Sequence, residues 1–378
     1  MGAESTAGPS GAPGSPSGGS SATGASPTGS AGGSAAEEPP SPQASAGVVP
    51  SIRRWWPTVR VGASAVMLGV LLHWVKLRSL FPVWDHGTVW WLAGGVTCTT
   101  VAIGLSALRW HRVLAAMDEP TSLGVLIHAY LACQFVSNFL PSTIGGDAVR
   151  VARLSPRQGG PPAPVAFASV VLDRMSGWLV LPLLCLAGLA LNPSLLRFGR
   201  SSRVALVLSL VTLGALGVTV AATASPRLGG RLAGHSNWLR FMGAIHLGLD
   251  RIRRRPLAAL QVIAASLVYQ LVIVGASVLA ARALGLHLGA TALLTFVPAV
   301  AIIQVLPVTI GGLGLREGAF ALFLNPLGVP VDRAVALGLV MYAMHLLSSL
   351  LGAPSFAVGG RHRPDGPVGS GDAVVPAA

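Results

Sequence analysis

The chain carries the segment Leu140-Pro-Ser-Thr-Ile-Gly-Gly-Asp-Ala-Val-Arg150 and, 166 residues later, the segment Leu306-Pro-Val-Thr-Ile-Gly-Gly-Leu-Gly-Leu-Arg316. Seven of the eleven positions are identical without a gap, namely Leu, Pro, Thr, Ile, Gly, Gly and Arg. The same offset places the apolar stretch before the first copy, about 88–107, onto the one before the second, about 257–273. The repeated unit is therefore a whole supersecondary element. In a membrane protein, interrupted apolar segments at matching positions of a repeat are typical of a transport site.

The composition predicts a membrane protein. The chain is 52% hydrophobic and 10% charged, with a mean hydropathy of +0.66, whereas soluble domains contain about 25% charged residues. Stretches of about 20 apolar residues recur, which is enough to cross a hydrocarbon layer roughly 30 Å thick. The predicted apolar segments are 58–75, 88–108, 121–140, 165–191, 204–224, 257–283, 288–306 and 332–357. Tryptophans bracket the first two and are expected in the interfacial belt: Trp55, Trp56, Trp74, Trp84, Trp90, Trp91 and Trp110.

The net charge of +13 comes almost entirely from arginine, which supplies 25 of the 26 basic residues. Most of these arginines lie in the linkers between apolar segments. This distribution indicates membrane topology and contact with anionic lipid headgroups, and no nucleic-acid partner is expected. The three cysteines lie inside apolar stretches without a CxxC or Cys/His cluster, so neither a metal nor another cofactor is expected.

The two ends of the chain differ in composition from its centre. Residues 1–50 are almost wholly Gly, Ser, Ala, Pro and Thr, a composition that predicts a disordered tail. They lack the basic start and apolar run of a signal peptide. The segment 361–378 is a second, short polar tail that we expect to be disordered. The predicted membrane domain therefore covers 51–360.

The arginine-rich linkers predict the topology. The linker 224–256 should be cytoplasmic, since it carries Arg227, Arg231, Arg240, Arg251, Arg253, Arg254 and Arg255. The basic residues before the first apolar segment place the N-terminus in the cytoplasm as well. Both assignments hold only if 121–155 enters and leaves the membrane on the same side, and 284–330 should do likewise. The sequence thus predicts two re-entrant hairpins within inverted repeats, about 88–191 and about 257–357.

Prolines and glycines interrupt both predicted hairpins. The first contains Pro141, Gly145 and Gly146, and the second contains Pro307, Gly311, Gly312 and Gly314. These residues are expected to break the helices and to allow the hairpins to move. Irregular backbone at membrane depth is tolerated only where it is buried in protein or lines a wet cavity. Both loops are therefore expected to meet at a central cavity.

Two adjacent charged residues lie inside the apolar segment 165–191. Asp173 lies eight residues in, roughly 12 Å below the start of the segment. An ionisable group at that depth costs about 2.5–3.5 kcal/mol unless it is paired or hydrated. Asp173 and Arg174 point about 100° apart on a helix and cannot simply neutralise each other. Each needs another partner, either in a buried ion-pair network that locks the hairpins or in a site for a lipid headgroup or ion.

Arg150 and Arg316 are the only charged residues that both copies share. A guanidinium group binds phosphate through two parallel hydrogen bonds, so this pair is expected to bind a phosphate headgroup. Asp147 and Glu317 follow the glycine turns without being repeated. Either could cap the short helix after its turn, hold an arginine or receive a cationic headgroup. Glu317 lies beside the repeated arginine, and we interpret it as the more functional of the two.

Three ordered motifs carry a resemblance to a known family. They are Asn138-Phe-Leu-Pro-Ser-Thr-Ile-Gly-Gly-Asp-Ala-Val-Arg150, Leu172-Asp-Arg-Met-Ser-Gly177, and the Pro307-x-x-Ile-Gly-Gly-x-Gly-x-Arg-Glu-Gly318 pattern. Over about 55–358 the chain resembles the lysylphosphatidylglycerol synthase transmembrane-region family, the flippase-like proteins that include the membrane half of the bacterial multiple peptide resistance factor. The resemblance implies a multi-pass protein of the bacterial inner membrane whose relatives move or help make aminoacylated or glycosylated lipids. The full-length factor carries a soluble transferase domain, and no such segment follows 360 in this sequence.

The sequence therefore predicts a flippase-like protein that moves an anionic, aminoacylated or polyprenyl-phosphate-linked lipid between leaflets. No catalytic residues and no enzymatic activity are expected. The alternatives are a small-solute or ion transporter built on the same repeat, and a non-transporting partner of a separate lipid-modifying enzyme. Lipid movement in vesicles, compared with solute uptake, separates the first two classes.

Overall fold

The computed structural model describes residues 69, 86–139, 143–154, 161–224, 246, 248–251, 254–305 and 312–359. All of them belong to one compact unit, Pro50–Ala378. The helices are α1 (His86–Ala116), α2 (Leu123–Phe139), α3 (Thr143–Leu154), α4 (Ala163–Leu191), α5 (Arg200–Ala224), α6 (Pro256–Ala283), α7 (Ala290–Gln304), α8 (Leu315–Leu324), α9 (Val331–Leu350) and α10 (Gly352–Gly359). Short 3₁₀ turns cover Pro193–Phe198 and Asn325–Leu327. These described ranges contain no β-strand, and the predicted all-α membrane architecture is confirmed.

Five helices are long and apolar enough to cross a membrane: α1, α4, α5, α6 and α9. They confirm the predicted segments 88–108, 165–191, 204–224, 257–283 and 332–357, although the last one stops at Leu350 and continues as α10. The predicted segment 58–75 and most of the linker 224–256 lie outside the described residues. The tails 1–50 and 361–378 lie outside them as well.

The helices of the two glycine-containing regions are shorter. Helices α2 and α7 have 17 and 15 residues, which corresponds to about 26 and 23 Å at 1.5 Å per residue. A hydrocarbon layer is about 30 Å thick, so both helices are shorter than its full thickness. Each is followed by a still shorter helix, α3 with 12 residues and α8 with 10. We call α2–α3 the first hairpin and α7–α8 the second hairpin.

The predicted helix breakers behave differently in the two hairpins. Gly145 and Gly146 were expected to interrupt the first hairpin, but α3 already begins at Thr143 and contains both. In the second hairpin Gly312 and Gly314 have φ angles of 75° and 82°, so they do form the turn before α8. Positive φ is accessible to glycine at little cost. The other predicted breakers, Pro141, Pro307 and Gly311, lie outside the described residues.

The helices pack closely through small residues. This is usual in lipid, where no hydrophobic force drives helices together and close van der Waals contact takes its place. Helix α1 packs along α6, and α4 packs along α7. At the second contact, a Cβ on Gly188 would lie 2.9 Å from the backbone nitrogen of Thr295. Gly188 therefore allows the backbones of α4 and α7 to approach each other closely, which places the second hairpin against the helix that follows the first.

Candidate functional site

A cavity of about 1040 Å³ lies among α1, α2, α3, α4, α6 and α7, with His345 of α9 also in its wall. Much of the lining is apolar and includes Ile103, Phe167, Trp178, Leu181 and Ile273. Four charged residues also line the cavity: Arg109, Asp147, Arg150 and Arg174. A cavity that combines a long apolar wall with a charged cluster suits an amphiphilic ligand. Both hairpins contribute, the first through α3 and the second through Ala301 and Gln304.

Asp173 is the centre of the charged cluster. Its side chain is 0% exposed, and its two oxygens accept hydrogen bonds from two different arginines. Arg109 Nε donates to Oδ1 at 2.7 Å, and Arg150 Nη2 donates to Oδ2 at 2.8 Å. One buried carboxylate thus joins α1, α3 and α4 and compensates part of two buried positive charges. The sequence required a partner for Asp173 elsewhere in the chain, and the structure supplies two, Arg150 and Arg109.

Arg150 is enclosed on nearly every side. It is 1% exposed, and its guanidinium carbon lies 4.2 Å from the ring centroid of Trp110 and 4.6 Å from that of Tyr130. Its Nη1 lies 3.6 Å from Asp147 Oδ1. Its Nε is buried and finds no partner among the described residues. Arg150 therefore forms its ion pairs within the protein, and the two aromatic rings fix the orientation of its guanidinium plane.

Trp110 corrects one expectation from the sequence. It was predicted to lie in the interfacial belt, but it is 0% exposed and its indole N–H donates to Ser169 Oγ at 3.0 Å. The physical reason is that α1 continues to Ala116 and carries Trp110 inward, where it can cover a buried guanidinium. Trp90 and Trp91 are exposed at the start of α1, as an interfacial position requires.

Arg174 has a different environment from that of Arg150. Its side chain is 43% exposed, and its Nε and Nη2 donate to the two oxygens of Asp147 at 3.0 and 3.1 Å. This fork-to-fork geometry uses one edge of the guanidinium and leaves the Nη1–Nη2 edge without a partner among the described residues. Arg174 can therefore add an anion without breaking its existing pair.

Arg109 is a site residue that the sequence does not single out, because it lies at the end of an apolar stretch, where an arginine is typical of a linker between membrane segments. Its Nε binds Asp173, its guanidinium carbon lies 5.3 Å from the Tyr269 ring centroid, and it lines the cavity. A Cβ on Gly177 would lie 3.1 Å from Arg109 Nη1, so α4 leaves room for this side chain. The signal available in the sequence was the uninterrupted segment 109–116, which lacks Gly and Pro and predicts that α1 continues.

The second hairpin holds its repeated arginine in a local pair. Arg316 Nη2 donates to Glu317 Oε1 at 3.0 Å, and its guanidinium carbon lies 4.9 Å from the Tyr342 ring centroid. Glu317 Oε2 accepts the backbone N–H of Gly314 at 2.6 Å and so caps α8. Neither Arg316 nor Glu317 is among the residues that line the cavity. The structure thus brings Asp147, Arg150, Asp173 and Arg174 together and leaves this pair in a separate group.

The capping roles also differ between the hairpins. Asp147 is the fifth residue of α3, beyond its first turn, and it pairs with Arg174 instead of capping the helix. Glu317 is the third residue of α8, where a carboxylate reaches back to the free N–H groups. The sequence suggested that Glu317 was the more functional acid, but Glu317 is the one that caps a helix. Asp147, for which capping and function were both possible, lines the cavity.

Comparison with known proteins gives one positive result. The family described as "Lysylphosphatidylglycerol synthase TM region" matches residues 58–352, which covers the cavity and both hairpins. Searches of curated proteins and of solved structures each return no match. The match agrees with the all-helical membrane architecture and covers most of the chain. This protein belongs to the lysylphosphatidylglycerol synthase transmembrane-region family.

Proposed function

We propose that this protein moves a phosphate-bearing lipid between the leaflets of the bacterial inner membrane without changing it chemically. The candidate lipid classes are anionic, aminoacylated and polyprenyl-phosphate-linked lipids. The observation that carries the proposal is the cavity of about 1040 Å³ that joins an apolar wall to a cluster of three arginines and Asp147. The apolar wall accommodates acyl or prenyl chains, and the arginines compensate a phosphate at a depth where water is scarce.

Within this proposal, Arg174 and Arg109 bind the headgroup directly. Both line the cavity and have guanidinium nitrogens with no hydrogen-bond partner among the described residues. Arg150 and Asp173 position them, since both are buried and bound to each other at 2.8 Å. The sequence-based hypothesis that Arg150 and Arg316 bind one headgroup together stays untested. The geometry favours the two arginines that retain free donor edges.

We also propose that the two hairpins are re-entrant and related by an inverted repeat, with the N-terminus in the cytoplasm. Adding 166 to the bounds of α2 gives 289–305, and α7 covers Ala290–Gln304. The repeat offset matches α1, α2, α3 and α4 with α6, α7, α8 and α9. The contacts follow this match: α2 packs on α3 and α7 packs on α8, while α1 packs on α9 and α6 packs on α4. Short, interrupted helices at matching positions are typical of transport sites. Movement of one hairpin against α4, the helix that bears Asp173, would alternate access to the two leaflets.

A substitution that fills the cavity tests this function. Ala148 lines the cavity on α3 and is exposed to its interior, so Ala148→Trp occupies the volume that a lipid needs without removing a charge. We expect most of the translocation rate of a tail-labelled phosphatidylglycerol in reconstituted vesicles to be lost. Ala187→Trp is the matched control, since Ala187 lies on an exposed face of α4 and does not line the cavity.

The same vesicles distinguish lipid movement from the alternatives. Equal rates for the wild type, Ala148→Trp and protein-free vesicles would contradict lipid translocation. Uptake of a water-soluble solute that Ala148→Trp abolishes would instead support a solute transporter. The melting temperature of each variant in detergent shows whether a lost rate reflects a filled cavity or an unfolded protein.

A further inference from the structure

We infer that the cavity selects headgroups with a single phosphate and no ammonium group, and that it discriminates against lipids whose headgroup carries added amines. This inference rests on the proposed function and narrows its substrate class. Three arginines and two aspartates form the charged cluster, so three positive and two negative charges leave a net charge of +1. A headgroup of charge −1 neutralises the cluster, whereas a headgroup with two ammonium groups beside its phosphate raises the total positive charge.

The geometry of the arginines favours the same class. Asp147 occupies the Nε–Nη2 edge of Arg174, with contacts of 3.0 and 3.1 Å. The opposite edge presents two further N–H groups, which match two oxygens of one phosphate. Arg109 uses only Nε on Asp173, so its terminal nitrogens remain to contact the same anion. A phosphate can therefore bind while every ion pair of the cluster stays intact.

An ammonium group finds no comparable partner. Of the two carboxylates in the cluster, Asp173 is buried between two arginines, and Asp147 is held by Arg174. The other acids of the described helices and loops do not line the cavity. Most belong to ion pairs elsewhere, namely Asp118 with Arg255, Glu119 with Arg251, Asp250 with Arg254 and Glu317 with Arg316, and Asp332 lies in the first turn of α9. An ammonium group would have to displace Arg174 from Asp147.

The test compares three tail-labelled probes in phosphatidylcholine vesicles: phosphatidylglycerol, phosphatidylethanolamine and lysine-esterified phosphatidylglycerol. We expect phosphatidylglycerol to move at least about tenfold faster than the lysine ester, which corresponds to roughly 1.4 kcal/mol. Arg174→Gln removes one positive charge and the free edge, so the preference should fall to near unity. Asp147→Asn removes the competing carboxylate, so the preference should rise. Arg203→Gln is the matched control, because Arg203 is exposed on α5 and does not line the cavity.

A second readout separates the two levels of the proposal. Native mass spectrometry of the detergent-purified protein measures which of the three probes is retained at equal concentration. Equal movement and equal retention of all three probes would overturn the charge selection and leave lipid translocation standing. Absence of movement for every probe would overturn the proposed function, and the retention measurement would then still decide which headgroup the cavity binds. Melting temperatures of the variants exclude loss of fold as the cause.

Discussion

The two hairpins share seven residues of an eleven-residue motif, yet they use their shared arginine differently. In the first hairpin Arg150 joins a cluster that spans α1, α3 and α4 and opens onto the cavity. In the second hairpin Arg316 pairs with its immediate neighbour Glu317, and neither residue lines the cavity. The two copies therefore share a structural scaffold and differ in what their arginine binds. The residues that differ between the copies, above all Asp147, give the first hairpin its charged opening.

The repeated glycines show the same divergence. Gly146 and Gly312 occupy equivalent positions, 166 residues apart. Gly146 lies inside α3, where an added Cβ would lie 1.8 Å from Ser137 Oγ, so it permits close contact with α2. Gly312 has a φ of 75° and forms a turn. One residue type thus serves packing in one hairpin and backbone conformation in the other.

The largest predicted effect comes from removing the shared counter-ion of the first hairpin. Asp173→Asn leaves Arg109 and Arg150 buried without their carboxylate, which should destabilise the protein by about 3–5 kcal/mol. Glu317→Gln should cost less, about 1–3 kcal/mol, because the amide oxygen can still accept the Gly314 N–H and Arg316 remains over Tyr342. Thermal unfolding of both variants in the same detergent measures the difference. Equal losses would show that the two hairpins depend on their ion pairs to the same extent.

A smaller effect separates the two glycines. Gly146→Ala and Gly312→Ala should each destabilise the protein by about 1–3 kcal/mol, the first through overpacking and the second through a strained positive φ. Adding Ser137→Ala removes the nearest atom that the new Cβ would meet but leaves Cys133 Sγ at 3.0 Å and the Cys133 carbonyl oxygen at 3.1 Å, so it should restore part of the stability of Gly146→Ala. Shortening Gln304 to Ala should not rescue Gly312→Ala, because the backbone strain persists. Rescue of both variants, measured by melting temperature, would contradict the assignment of different roles.

Much of the fold could be predicted from the sequence, because hydrocarbon imposes length and apolarity on each membrane helix. The segment 165–191 predicted α4 within two residues, and 288–306 predicted α7 equally well. Helix ends that depend on tertiary packing were harder to predict from the sequence. The segment 109–116 indicates that α1 continues past Trp110, but no local signal shows that Trp110 covers Arg150, since that burial depends on side chains of α2, α3 and α4.

The site was only partly predictable for the same reason. The cost of an ionisable group in the membrane identified Asp173 and Arg174 and required that each have a partner. Their choice of partner depends on where α3 crosses α4, and periodicity alone does not give that crossing. Glu317 caps α8 because the helix starts at Leu315, whereas α3 starts at Thr143 and leaves Asp147 past its first turn. A shift of a few residues in the helix start thus exchanges a capping acid for a cavity acid.

The most direct test of the central claim compares one conservative substitution in the charged cluster of the cavity with one in the Arg316–Glu317 pair of the second hairpin. Arg174→Lys and Arg316→Lys both keep the positive charge and remove the planar fork, so they differ only in which group they alter. Phosphatidylglycerol translocation in reconstituted vesicles, normalised to folded protein, is the measurement. We expect a loss of about tenfold for Arg174→Lys, since bidentate phosphate binding is lost, and a rate near that of the wild type for Arg316→Lys. A wild-type rate for Arg174→Lys together with a large loss for Arg316→Lys would show that the headgroup does not bind at the charged cluster of the cavity.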